Sequence, residues 1–171
     1  MPDLRYKRIL LKLSGEILAG NSGFGIDPEK ASYLANEIKS IHEIGLDIGL
    51  IIGAGNIFRG IEAASRGMVR VTGDYLGMLA TIMNAISMQD ALENVNCQTR
   101  TLSAIDVKQI SEPYIRRRAI RHIEKGRIVI VAGGTGNPFF TTDSAAALRA
   151  TELGADIVIK DDGTEIGRFT N

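Results

Sequence analysis

An α/β fold with a mainly parallel central sheet follows from three features of the 171-residue chain. Short apolar runs of strand length recur at residues 5–13, 46–52, 97–104, 128–132 and 155–160, with helical patterns between them. Several of these runs are nearly continuous rather than alternating, as in strands covered on both faces. Glycine turns stand directly at the ends of three of them, at Gly15, at Gly53 and Gly55, and at Gly133, Gly134 and Gly136. The carboxyl edge of a parallel sheet is where such folds hold their ligands.

Bulk properties exclude several classes. A hydrophobic fraction of 44% is that of a globular domain with a sizeable core. Twenty basic and twenty acidic side chains cancel, so no global charge points to nucleic acid or an anionic membrane. One cysteine, Cys97, leaves neither an internal disulfide nor a cysteine-based metal cluster and fits a reducing compartment. No apolar run approaches the length of a membrane span, and the N-terminus lacks the apolar core of a signal peptide, which fits a cytosolic protein.

Residues 5–13 form the first strand, ending in Lys12, Leu13, Ser14 and Gly15. A lysine there is either a movable charge for phosphate or a solvated strand end. The stretch Gly20, Asn21, Ser22, Gly23, Phe24, Gly25 reads as a mobile turn. Asp27 and Pro28 then start a helix with a cap and a first-turn proline, Leu34, Ala35, Ile38 and Ile41 recur at helical spacing, and Gly45 stops it. After the strand at 46–52 comes GAGNIFRG, residues 53–60. It matches neither the dinucleotide fingerprint nor a Walker A loop, because the third glycine and the Gly-Lys-Ser/Thr are absent. Arg59 could grip phosphate oxygens with its fork or form a surface salt bridge.

A long helix is expected over 74–94, with Leu76, Leu79, Ala80, Met83 and Ile86 as its buried stripe and Asp74 as a favourable carboxylate in its first turn. Residues 113–124 read as a helix whose Arg116, Arg117, Arg118 and Arg121 form a solvated face or meet an anionic effector. His122 has no partner at metal-ligand spacing and no catalytic role. The strand at 128–132 leads into GGTGNPFFTTDSAAA, residues 133–147: a glycine loop, a turn at Asn137 and Pro138, the hydroxyls of Thr141, Thr142 and Ser144, and an alanine-rich helix. Two adjacent phenylalanines in a polar loop need a surface to cover, which favours a ligand site. Asp143 is expected either to cap that helix or to serve the ligand. The strand at 155–160 is expected to be buried, and Asp162-Gly163 to turn a hairpin into a return strand over 164–169.

Four segments taken together, KLSGE (12–16), GAGNIFRG (53–60), TGDYLGMLATIMNA (72–85) and GGTGNPFFTTDSAA (133–146), closely resemble the bacterial uridylate kinase family of the amino acid kinase superfamily. The likeness runs from about Lys7 to Lys160. It implies a three-layer αβα fold, transfer of the γ-phosphoryl group of ATP to UMP with Mg2+, and a homohexamer. It implies Lys12, Arg59 and Asp143 as catalytic residues, Asp143 organising lysines. Lys12, Leu13, Ser14, Gly15, Gly55 and Arg59 match the ATP phosphate site. Ala54, Asp74, Thr135, Gly136, Asn137, Pro138, Phe139, Phe140, Thr141 and Thr142 match the UMP site. Gly20 to Gly25 resembles the loop that joins a GTP effector site, with UTP as a second effector.

The resemblance breaks after Lys160. Family members continue through a segment that holds the adenine and ribose of ATP, whereas here DDGTEIGRFTN follows and its last nine residues resemble the family's final strand. A single domain over 1–171 is therefore expected to lack an internal segment between Lys160 and Asp161. Loss of that segment from the molecule itself would leave apolar surface and strand edges uncovered, which favours a longer protein. Two other functions compete: a non-catalytic UMP-binding module without the ATP-binding half, and a superfamily kinase acting on a carboxylate or carbamate.

Overall fold

The computed structural model describes residues 3–161. The return strand expected over 164–169 lies outside them. Six strands form one sheet in the order β4-β3-β5-β2-β1-β6: β1 Arg8–Leu13, β2 Asp47–Ile52, β3 Thr99–Ser103, β4 Glu112–Pro113, β5 Ile128–Ala132 and β6 Ile157–Lys160. Every pairing among the described residues is parallel, in keeping with the mainly parallel sheet expected.

Strand periodicity divides the core into two layers. Ile9, Leu11 and Leu13 of β1, with Ile48, Leu50 and Ile52 of β2 and Ile128 and Ile130 of β5, join one buried cluster. The alternate residues Leu10, Ile51, Val129 and Val131 join another. Side chains two apart share a sheet face, so continuous apolar strands serve two covers. The first face carries α1 Pro28–Glu43, through Ala31, Leu34, Ala35 and Ile38, and α3 Arg70–Asn94, through Ile82, Ala85, Met88 and Leu92. The second carries α4 Arg116–Glu124, through Ala119 and Ile123, and α5 Thr142–Leu153, through Ala145, Ala146, Ala150 and Leu153. The result is the αβα sandwich. Each fully buried Leu or Ile contributes about 1.5–3 kcal/mol.

The start of α1 is as expected: Asp27 accepts from the Glu29 N–H, and Pro28 opens the helix. Elsewhere the structure corrects the sequence. The 20–25 stretch, expected as a turn without regular structure, contains a 3-10 turn at Gly20–Ser22, and Gly25 is bonded through both its N–H and its carbonyl to Asn56 (2.7 and 2.9 Å). A short helix, α2 Gly60–Ser65, follows the first glycine loop unannounced. Helix α3 begins at Arg70, a turn before the expected start. Of its expected stripe, Leu76, Leu79 and Met83 face outward, Leu79 44% and Met83 54% exposed. Helix α4 begins at Arg116, since Pro113 pairs with Ser103 in β4. Strand β6 is half-exposed rather than buried.

Candidate active site

Alternation along β1 puts Lys12 on the same face as Leu10, the face that α5 covers. Its ammonium there lies 3.2 Å from Asp143 Oδ1 at the start of α5. Lys160, the register neighbour of Lys12 across β1 and β6, donates to Asp143 Oδ2 at 2.8 Å. One carboxylate thus holds two lysines at the carboxyl ends of adjacent strands. Lys160 was missed as a site residue; its signal was a lysine closing a strand that ends beside β1, visible only once β6 is known to pair with β1.

The double role expected for Asp143 resolves. Thr141 is the N-cap of α5, its hydroxyl accepting from the Ser144 N–H at 3.1 Å, and Asp143 sits in the first turn. Freed from capping, it serves the lysines. The hydrogen bond from Lys160 and, against the opposing effect of burial, that from Lys12 hold its carboxyl below the usual carboxylate range.

Ser14 caps the 3-10 turn Gly15–Leu18 by accepting from the Glu16 N–H. Gly15 is required by close approach: a Cβ there would collide with the Gly53 carbonyl and the Asn56 side chain, so the first strand end nests against the second. The 53–60 loop is anchored from behind. Asn56 and Asn84 of α3, both 0% exposed, exchange amide hydrogen bonds at 3.0 and 2.8 Å, and Asn84 Nδ2 also donates to the Gly53 carbonyl at 2.7 Å. Arg59 is not turned toward Lys12 and Asp143. It pairs with Glu16 at 2.6 Å and donates to the Gly55 carbonyl at 3.1 Å, the salt bridge that stood as its alternative reading.

The 133–142 loop rests on the same helix. Thr81 Oγ1 accepts from the Gly133 N–H at 3.0 Å, and Asp74 accepts from the Phe139 N–H at 2.7 Å while pairing with Arg70. Gly133 has φ 77°, and a Cβ there would press on the backbone of Ala104 and Ile105. Asp74 is therefore neither a cap nor in the first turn; with Thr81 and Asn84 it forms one face of α3, at spacings of seven and three residues, that faces both glycine loops.

Between that face and the loops lies a cavity of about 660 Å³. Of the expected acceptor residues, Ala54, Asp74, Thr135, Asn137, Phe140, Thr141 and Thr142 line it; Gly136, Pro138 and Phe139 belong to the loop without lining it. Gly55 lines it from the other group, while Lys12, Leu13, Ser14, Gly15 and Arg59 do not. Phe58, Met68, Val69 and Met78 give it an apolar wall that sequence reading missed, because these side chains converge only through α2 and the start of α3. Among the described residues no group of three or more His, Cys, Asp or Glu could hold a metal ion.

A cavity at the carboxyl edge of a parallel sheet, lined by glycine-loop residues and with two lysines held at adjacent strand ends, is the arrangement in which α/β proteins hold ligands. The chain belongs to the amino acid kinase family, whose model matches residues 7–161. It is 62% identical over 160 residues to the uridylate kinase of Methylococcus capsulatus, a match covering 94% of this chain and 67% of that one. It is 59% identical over 159 residues to the uridylate kinase of Dichelobacter nodosus, covering 93% and 66%. The solved UMP kinase of Bacillus anthracis superposes with a TM-score of 0.87 at 41% identity, covering 91% of this chain and 64% of that one. The chain thus spans about two thirds of the length of the curated relatives it matches.

Proposed function

We propose that this site phosphorylates UMP, taking the γ-phosphoryl group of ATP to give UDP and ADP in cytoplasmic pyrimidine nucleotide biosynthesis. The observation that carries the reading is the Lys12–Asp143–Lys160 cluster beside a cavity that presents both the Asp74 carboxylate and the 133–142 loop. The nucleoside of UMP takes the cavity, with Asp74 and the loop reading it. A phosphate oxygen of UMP attacks the γ-phosphorus, the bond to the bridging oxygen of the donor breaks, and ADP leaves. Phosphoryl transfer asks little covalent help of the protein, so positioning and charge neutralisation carry the rate. Lys12 and Lys160 supply the charge, and Asp143 keeps both ammonium groups aimed at one point.

The described residues provide no ligand set of their own for magnesium, and Asp143 is occupied by two lysines. Magnesium, where present with ATP, would supply charge neutralisation on the transferring phosphates, alongside Lys12 and Lys160. The adenine and ribose of ATP are assigned to a segment between Lys160 and Asp161, consistent with the span of two thirds of the relatives' length. An intact mass near the 18.5 kDa of these 171 residues would defeat that assignment. A non-catalytic UMP-binding module is the weaker reading, because the lysine pair would then have no work.

Assembly and regulation belong to the same proposal. The outward stripe of Tyr75, Leu76, Leu79 and Met83 on α3 fits a second copy of this chain, as a homo-oligomer such as a hexamer requires. Among the described residues no helix is long and apolar enough to cross a membrane. GTP and UTP are proposed effectors acting near Gly20, Asn21, Ser22, Gly23, Phe24 and Gly25, since Gly25 is bonded to the 53–60 loop. A coupled ADP-release assay with UMP tests the reaction; no turnover with any common nucleoside monophosphate would sink it.

A further inference from the structure

Arg149 lies on α5, does not line the cavity, and is only 5% exposed. Its guanidinium is engaged on three sides. Nη1 donates to Glu152 Oε1 at 2.8 Å, Nη2 donates to the Gly134 carbonyl at 3.0 Å, and its plane sits over the Tyr114 ring at 4.0 Å. Glu152 is braced in turn: Tyr114 Oη donates to its second oxygen at 3.2 Å, and Arg116 Nε donates to its backbone carbonyl at 2.6 Å. Burial first, and then the charge of Glu152, push the Tyr114 hydroxyl up to about 12, so it remains a donor across the working pH range.

This arrangement is an uneconomical way to stabilise a core. Nε of Arg149 is buried and has no hydrogen-bond partner among the described residues, and apolar side chains of similar volume often replace a buried ion pair without loss of stability. What an apolar residue could not do is hold a carbonyl fifteen residues back along the chain. Gly134 lines the cavity and has φ 57°, a conformation that leaves its carbonyl without a place in the sheet or in α5. Among the described residues Arg149 alone donates a hydrogen bond to it.

We infer that Arg149 is a positioning residue: braced by Glu152 and Tyr114, it fixes the Gly134 carbonyl and so pre-shapes the 133–142 loop for a nucleoside monophosphate it never touches. The inference rests on reading the cavity as the acceptor site. A loop held in its binding geometry before the ligand arrives spares the ligand the ordering cost, so the expected effect falls on affinity for the acceptor rather than on the chemical step.

The test uses Arg149→Met and Arg149→Lys in the full-length protein, with UMP calorimetry, steady-state kinetics and amide exchange. UMP affinity and the KM for UMP should weaken about 5–20-fold in Arg149→Met, with kcat and the KM for ATP changed less than about threefold. Exchange at residues 134–137 should quicken, and Arg149→Lys, which keeps the charge but not the fork, should recover part of the loss. A variant that unfolds at lower urea yet binds UMP as the parent does would overturn the inference. If Arg149→Met does not fold, Arg149→Lys and Glu152→Gln decide by the same split. If the parent protein itself does not bind UMP, the reading of the cavity fails. The clamp is then judged by exchange alone, and unchanged protection at 134–137 in the variants overturns it.

Discussion

The two glycine loops stand at the ends of neighbouring strands, yet they are held by different means. The 53–60 loop is fastened through fully buried amides: Asn84 satisfies the Gly53 carbonyl and Asn56 at once, and Asn56 ties in Gly25. The 133–142 loop is held at single points, by Thr81 at its base, Arg149 at Gly134 and Asp74 at Phe139, and it leaves Phe139 and Phe140 exposed. A loop fixed by buried, mutually satisfied polar groups is part of the core. A loop fixed by separate contacts can change partners when a ligand comes. On the proposed function, the first loop serves as a wall and the second as the part that reads the acceptor.

The largest effect is expected where neither loop is altered. Lys12→Ala removes a charge that matters most as negative charge shifts in the transition state, so kcat should fall about 10²–10³-fold with the KM for UMP little changed. Near-normal turnover would mean that the chemistry does not belong to the strand ends between the loops.

The wall is tested by Asn84→Leu. It removes the Asn84 bond to the Gly53 carbonyl and both amide bonds that Asn84 shares with Asn56. Asn56 Oδ1 is left without that donor and its Nδ2 with the Gly25 carbonyl alone, at about 1–3 kcal/mol for each buried group left unsatisfied. The midpoint of urea unfolding should drop accordingly, by an amount equivalent to roughly 2–4 kcal/mol, with UMP affinity of the folded protein little altered. A loss below about 0.5 kcal/mol would erase the distinction between the loops, since surface changes cost no more.

The reading loop is tested by Asp74→Asn. Asn can still accept from the Phe139 N–H, so the substitution removes charge rather than the bond that holds the loop. UMP affinity should weaken about tenfold while the unfolding midpoint holds and kcat falls far less. Unchanged affinity would make Asp74 a brace for the loop and nothing more.

How much of this division was legible in the sequence depends on which residues carried the signal. Strands β1, β2 and β5 were readable because nearly continuous apolar runs that end at glycine turns leave few alternatives, and α1 because Asp27 and Pro28 mark its start. The inward face of α3 was misread for a physical reason. Thr81 and Asn84 point into the protein, where loop backbone satisfies them, but in a periodicity argument they look like surface; Leu79 and Met83 face outward and look like core. Hydrophobic pattern cannot tell a polar residue with a buried partner from one in water. Lys160 and Arg149 escaped for a related reason: each acts on a residue fifteen or more positions away, through a pairing that exists only after the sheet and α5 are in place. The motifs located the loops; the residues that fasten them lay between the motifs.

The smallest expected effect concerns Asp143 and its pH dependence. A carboxyl whose pKa in the folded state lies below its ordinary 3.8 stabilises the fold above that value and loses the contribution as pH falls through the lower folded value. Asp143 is 55% exposed, so screening keeps the contribution below about 1 kcal/mol, and added salt should shrink it further. The difference in unfolding free energy between the parent and Asp143→Asn should therefore be steady near neutral pH and close as acid is added below about pH 4. Thr141 has no titrating group, so a helix start that depended on it alone would show no such closing. A difference that widened on acidification would mean that the lysines are not what Asp143 serves, and the strand-end cluster would lose its organiser while both loops stayed where they are.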